Sequence, residues 1–259
     1  MCLSVEKINL LCNNKVYFAS DQHFGIPNRK ESLKREKIFV GWLDSIKKDA
    51  QVLFLLGDMF DFWFEYKHVI PKGFTRVLGK LAELSDSGIR IYFFAGNHDF
   101  WMCSFFEKEL NISIFNSEKE IHINNNSFFI AHGDGLGTKS KKYKIIRKLL
   151  HSRICQSLFY LIHPDLSFRI ANYFSNRNKN KYCKSENVFT GEDREELILF
   201  SREKLKEKHF DYFVFGHRHM ALEFKLSEKS TYFNTGDWVK DYTYLVFDGK
   251  EVVLKKIEV

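Results

Sequence analysis

Five short apolar runs, each stopping at a turn of Asp, Asn or His, constrain this chain more than any other feature in it. "KVYFAS" (15–20) ends at Asp21-Gln22-His23, and "VLFLLG" (52–57) ends at Asp58-Met59-Phe60-Asp61. "IRIYFFAG" (89–96) runs into Asn97-His98-Asp99. "SFFIA" (127–131) precedes His132-Gly133-Asp134, and "YFVFG" (212–216) precedes His217-Arg218-His219. A further run, "TYFNTGDW" (231–238), reads as a strand entering a polar turn. The runs are aromatic or β-branched and apolar at consecutive positions, the pattern of strands buried on both faces.

Helical patterns separate the early runs. Phe39, Trp42, Leu43 and Ile46 fall at i, i+3, i+4 and i+7. Phe74, Val77, Leu78 and Leu81 follow similar spacing, with Gly88 as a stop signal. Strand alternating with helix predicts an α/β sheet with parallel pairs. Later, "EIHINNNSFFIA" reads as strand, Asn turn, strand, and Asp248-Gly249 marks a second hairpin. The expected class is α/β, with a mixed sheet or two sheets packed face to face and helices outside, in one domain over 1–259. A chain of 259 residues with 44% hydrophobic residues can bury one sizeable core.

Residues 139–184 break the rhythm. They hold twelve lysines and arginines against one acid, Asp165, so this segment carries +11 of a chain whose net charge is +7. Tyr143, Ile146, Leu149 and Leu150 can share a helical face, and Pro164 can begin another helix. The segment reads as two or three basic amphipathic helices inserted between strands, with an anionic partner expected there. "EDREELILFSREKLKEK" (192–208) returns to an ordinary surface helix. No apolar stretch approaches the roughly 20 residues of a membrane span. The start "MCLSVEKINLLCNN" is a poor signal peptide, and Cys2, Cys12, Cys103, Cys155 and Cys183 form no C-x-x-C pair. A cytoplasmic protein with free thiols is therefore expected.

In open α/β sheets, functional groups collect beyond the carboxyl ends of strands. Here that rule gathers Asp21, His23, Asp58, Asn97, His98, His132, His217 and His219. Carboxylate, imidazole and amide oxygen without thiolate suit a borderline or hard divalent ion rather than a structural zinc site. The donors are too many for one ion and about right for two, which need a bridging carboxylate. Gly57, Gly96, Gly133 and Gly216 fall within the turns, where a side chain would block close approach. Asp61, Asp99, Asp134 and Asp237 read as supporting residues, with Asp237 the better candidate for lining the site. His68, His122, His151, His163 and His209 lie outside the motifs and receive no role.

The ordered set "DQH", "GDMFD", "GNHD", "HGD" and "GHRH" resembles the calcineurin-like metallophosphoesterases over nearly the whole chain outside the basic insertion. The resemblance implies a sandwich of two mixed β-sheets flanked by helices, with the 139–184 segment as an inserted helical cap. It implies one metal on Asp21, His23, Asp58 and His219, and another on Asp58, Asn97, His132 and His217. Two divalent ions, with Mn²⁺ expected, would activate a water, and Asn97 and His98 would serve catalysis.

Within that superfamily the chain is most similar to the UDP-2,3-diacylglucosamine diphosphatases of lipid A synthesis. "GDMFDFW", "GNHDFW", "NTGDW" and the position of the basic insertion carry this likeness. It implies hydrolysis of the substrate's pyrophosphate bond to UMP and 2,3-diacylglucosamine 1-phosphate. It also implies substrate contacts from Asn97, His98, His217 and Ser175, with Arg177, Lys179 and Lys181 matching by character. The best-known branch has arginine where this chain has His98, the residue of the wider superfamily. An apolar groove beside cationic groups suits an acylated UDP-sugar and a peripheral seat on the inner face of the bacterial inner membrane. No stable nucleic-acid partner is expected. The alternative is the same chemistry on a nucleotide, phosphoprotein or nucleic-acid phosphoester.

Overall fold

The computed structural model describes residues 6–137, 141–150, 152–171, 173, 188–189 and 191–258. Among the described residues, twelve strands form two six-stranded mixed sheets. The strands are β1 (Glu6–Ile8), β2 (Lys15–Ala19), β3 (Ala50–Leu55), β4 (Arg90–Phe94), β5 (Ser113–Phe115) and β6 (Lys119–Ile123). They continue with β7 (Asn126–Ala131), β8 (Tyr212–Phe215), β9 (Ala221–Ser227), β10 (Ser230–Thr235), β11 (Thr243–Phe247) and β12 (Val252–Lys256). The helices are α1 (Arg29–Ile46), α2 (Thr75–Asp86), α3 (Phe105–Leu110), α4 (Lys141–Leu150), α5 (Arg153–Tyr160), α6 (164–171) and α7 (Glu196–Glu207).

One sheet runs β12-β11-β2-β3-β4-β5 and the other β1-β6-β7-β8-β10-β9. β2, β3, β4 and β5 are parallel neighbours joined through α1, α2 and α3. In the other sheet β7 is parallel to β8, and β8 to β10. The carboxyl ends of the central parallel strands therefore carry the motif turns.

Burial explains why the runs are apolar at every position. Val16, Phe18, Val52, Phe54, Tyr92 and Phe94 point between the sheets, against Phe128, Ile130, Val214 and Phe233. The alternate residues, Tyr17, Ala19, Leu53, Leu55, Ile91 and Phe93, point outward onto α1, α2 and α3. Phe129, Phe213 and Phe215 do the same on the other sheet against Leu197 and Ile198 of α7. Each central strand thus serves two cores, as a strand covered on both faces must.

The helical spacing expected from the sequence holds in α1, where Phe39, Trp42, Leu43 and Ile46 are all buried. Asn28 caps α1 by accepting the Glu31 N–H at 3.0 Å. In α2 Val77 and Leu81 are buried, and the helix stops before Gly88, whose φ is +91°. Both expected hairpins are present, as β6–β7 and β11–β12. The surface helix expected over 192–208 starts later, at Glu196, because Glu195 takes the N-cap position with extended backbone.

Between β7 and α7 the chain leaves the sheets and forms α4, α5 and α6. Ile145, Leu149, Ile154, Leu158 and Leu161 are 67%, 63%, 75%, 62% and 81% exposed there. The aliphatic side chains of α4 and α5 therefore face outward instead of joining either core. No helix among the described residues is long and apolar enough to cross a membrane.

Candidate metal centre

The donors come from both sheets. Asp21 and His23 follow β2, Asp58 follows β3, and Asn97 and His98 follow β4. His132 follows β7, while His217 and His219 follow β8. Five of these residues, Asp21, His23, Asp58, His217 and His219, have φ between 45° and 68°. For residues with side chains this left-handed backbone costs about 1–3 kcal/mol each and persists only where the surroundings enforce it. Here the enforcement is visible. The backbone N–H groups of Asp21 and His23 donate to Gly57 O and Asp58 O at 3.0 and 2.9 Å, and the Gly216 N–H donates to His132 O at 2.9 Å.

Glycine is required where the loops meet. A Cβ on Gly96 would overlap Asp58 Oδ1 and the Asp58 backbone nitrogen. A Cβ on Gly57 would lie 2.7 Å from His132 Nδ1. Those overlaps could be relieved only by moving the donor loops apart.

Two donor groups share Asp58. Asp21, His23, Asp58 and His219 bring one atom each within 4.8 Å of one another, and so do Asp58, His132 and His217. Asn97 joins the second group, with Oδ1 3.2 Å from His132 Nε2. Asp61 and His98 form a further set with His23. Asp61, assigned a supporting place from sequence, thus stands within reach of two imidazoles. Asp99 lies behind the loops, where its carboxylate accepts the N–H groups of Gly96, Asp58, Met59 and Phe60 at 2.8, 3.2, 2.8 and 3.3 Å.

The donor chemistry fits divalent cations. Asp21 Oδ1 is buried and accepts no hydrogen bond from the described residues. His219 Nε2 lies 3.2 Å from it and 3.2 Å from His23 Nε2. An unbonded carboxylate oxygen and two imidazole nitrogens aimed at one region, with no thiolate, suit a borderline ion. His132 is oriented in the same sense. Its Nδ1–H donates to Leu56 O at 2.6 Å, which turns Nε2 toward Asp58 and Asn97. His219 has Asp237 behind it, Nδ1 to Oδ2 3.7 Å, so Asp237 supports a donor as well as lining the site.

The electrostatics agree. Burial alone would raise the Asp58 carboxyl, but His132, His98 and His23 facing it hold it well below the carboxylate range. Burial would lower His132, yet the Asp58 carboxylate raises it to about 10. Burial and the neighbouring His132 push His217 down to about 4. A buried, ionised carboxylate that makes the facing imidazole hold its proton this tightly also favours a metal cation in that proton's place.

The model of the calcineurin-like phosphoesterase family matches residues 15–221, most of the chain. The chain belongs to the calcineurin-like phosphoesterase family. It is also 33% identical over 257 residues to a Porphyromonas gingivalis protein named UDP-2,3-diacylglucosamine hydrolase, covering 95% of this chain and 98% of that relative. A Haemophilus influenzae protein of the same name is 26% identical, covering 89% of this chain and 93% of that relative. A third, from Proteus mirabilis, is 31% identical over 70% of this chain and 73% of that relative.

Against this family background, several residues that the sequence left unremarked hold the centre. Arg35 of α1 is buried and donates to the carbonyls of Gln22, His23 and Ile26 at 2.7, 2.6 and 2.6 Å, fixing the first donor loop from beneath. Arg218 lies between His217 and His219, and its guanidinium makes two 2.9 Å bonds to the buried Glu195 carboxylate. The partners are far apart in sequence, so no local pattern announces either clamp. The aromatics trailing the metal motifs also acquire a physical role. Phe62 and Phe64 pack on Phe159 at 5.9 and 4.9 Å, Trp101 Nε1 donates to Leu150 O at 3.0 Å, and Tyr66 OH donates to Ile162 O at 3.0 Å. They seat α4–α6 over the loops that carry Asp61 and His98. Ser175, Arg177, Lys179 and Lys181, expected to contact substrate, lie outside the described residues.

Proposed function

We propose that this protein hydrolyses the pyrophosphate bond of UDP-2,3-diacylglucosamine, releasing UMP and 2,3-diacylglucosamine 1-phosphate. The observation that carries the proposal is a pair of donor groups sharing Asp58, placed beneath a helical lobe whose aliphatic side chains are exposed. Near-full-length relatives bearing the hydrolase name support it. Residues 139–184 act as a cap on a single catalytic domain, and the exposed aliphatic faces of α4 and α5 accept acyl chains or the adjoining membrane surface. In that setting the enzyme works in the cytoplasm, peripheral to the inner face of the inner membrane.

Asp21, His23, Asp58 and His219 would hold one divalent ion, and Asp58, Asn97, His132 and His217 the other, with Mn²⁺ proposed for both. When bound, such ions supply an activated water and neutralise phosphoryl charge. The chain's own groups do the rest. His98 Nδ1 donates to Asp61 O at 2.9 Å, which leaves Nε2 to face the departing oxygen. In its protonated form Nε2–H supplies the proton that oxygen needs as the bridging P–O bond breaks. The His98 backbone N–H donates to Asp58 Oδ1 at 2.8 Å, so the acid and the carboxylate shared by both donor groups are fixed to one another.

The test is turnover of UDP-2,3-diacylglucosamine with Mn²⁺ present. Asp58→Ala and His132→Ala should each lower kcat by about 10²-fold or more. Wild-type rates in both variants would overturn the proposal. Leu149→Asp with Leu158→Asp should reduce turnover of the acylated substrate while sparing a small aryl phosphodiester.

A further inference from the structure

We propose that the polar cleft beside His132 receives the nucleoside end of the substrate, an inference that rests on the function proposed above. The two donor groups have unlike neighbours. Beyond His98 and Asp61 lies an aromatic ledge, where Phe62 meets Phe159 and Phe168 at ring distances of 5.9 and 5.2 Å. That side continues into α4–α6 and their exposed aliphatic side chains.

Beyond His132 the molecule opens instead into a cleft of about 100 Å³ at the ends of β4, β5 and β7. Asn116, Ser117 and Glu118 line it from the turn after β5, and Arg147 closes it from α4. Arg147 is held in place, since its Nε donates to the buried Asp134 carboxylate at 2.6 Å. It also lies along the Gly135 backbone, where a Cβ would come within 3.3 Å of Arg147 Cδ.

These groups match one end of the substrate and not the other. An amide, a hydroxyl and a carboxylate can pair with the donor and acceptor edge of a pyrimidine and with ribose hydroxyls. The guanidinium beside them can meet phosphate oxygens. An acyl chain there would strip water from polar groups and return no hydrogen bond. The substrate is thereby oriented, with its nucleoside toward β5 and β7 and its acylated sugar toward α4–α6.

Calorimetric titration of UMP into the Mn²⁺-loaded protein tests this, with ribose 5-phosphate as the control lacking a base. Ser117 is exposed on a loop, so Ser117→Trp fills the cleft without disturbing a core. UMP should bind the wild type more tightly than ribose 5-phosphate. Ser117→Trp, and separately Asn116→Ala with Ser117→Ala, should weaken UMP by about tenfold and ribose 5-phosphate by less than about twofold. Equal binding of the two ligands to the wild type, or unchanged UMP binding in the variants, overturns the cleft assignment. Wild-type turnover of the acylated UDP-sugar is read separately. Its absence sinks the proposed function, whereas an unchanged UMP titration beside normal turnover sinks only the cleft.

Discussion

At the scale of single residues, the candidate centre depends on backbone that its own side chains do not favour. Asp21, His23, Asp58, His217 and His219 sit at positive φ, and neighbours hold them there. The clearest such neighbour is Glu195, which pins Arg218 between two imidazoles. Glu195→Ala should weaken divalent-metal binding by about 10–100-fold, measured by calorimetry, because the His217–His219 loop loses its anchor. Glu195→Gln should recover only part of that loss, since an amide accepts one of the two guanidinium bonds. The donors themselves were legible in the sequence because each follows an apolar run. Arg35 and Glu195 were not: a buried clamp is defined by what it touches, and Glu195 lies 23 residues from Arg218. Nor does the one-dimensional pattern reveal that five of the donors adopt left-handed backbone.

At the scale of elements, long amphipathic helices and double-faced strands were readable, and short pieces were not. β1 and β5 have three residues each and α3 has six, too few to show a period. Their existence depends on neighbours, as when Glu65 accepts the Ser104 and Phe105 N–H groups at 2.7 and 2.9 Å to start α3. The exposure of Ile146, Leu149 and Leu150 was also hidden, since spacing gives a face but not its surroundings. Two elements offer direct tests. Trp101→Phe keeps the ring but removes the bond to Leu150 O. It should cost about 0.5–1.5 kcal/mol and speed proteolysis within 141–150, followed by limited trypsin digestion. Asp211 ties β7 to β8, accepting the Ser127 N–H and Oγ–H at 2.7 Å each. Burial opposes its ionised form, but these bonds and His209 lower its pKa in the folded state. As pH falls the unfolded chain takes up the proton first, so this carboxylate's stabilisation is full above about pH 4 and fades below it. The gap in urea midpoint between wild type and Asp211→Asn should therefore be present at pH 6 and narrow toward pH 3. A gap that widens in acid would contradict that sign.

At the scale of the whole molecule, the sandwich has one core between its sheets and another outside each sheet. Phe54 is fully buried in the central layer, stacked between Phe18 and Tyr92 at 5.1 Å from each. Phe54→Ala should cost about 3–5 kcal/mol, read as a lowered urea midpoint. The two-layer arrangement has a consequence for cohesion. Asp21, His23, Asp58 and Asn97 hang from one sheet, and His132, His217 and His219 from the other. A cation gripped by both sets is a rivet through the seam of the sandwich, and its affinity is spent on keeping the halves docked. Chelation should then lower Tm and speed amide exchange at Phe18 and Phe128, which face one another across that seam 6.1 Å apart. Under metal starvation such a protein would lose its catalytic centre and its mechanical closure in a single event, and become a substrate for proteases as it ceased to be an enzyme.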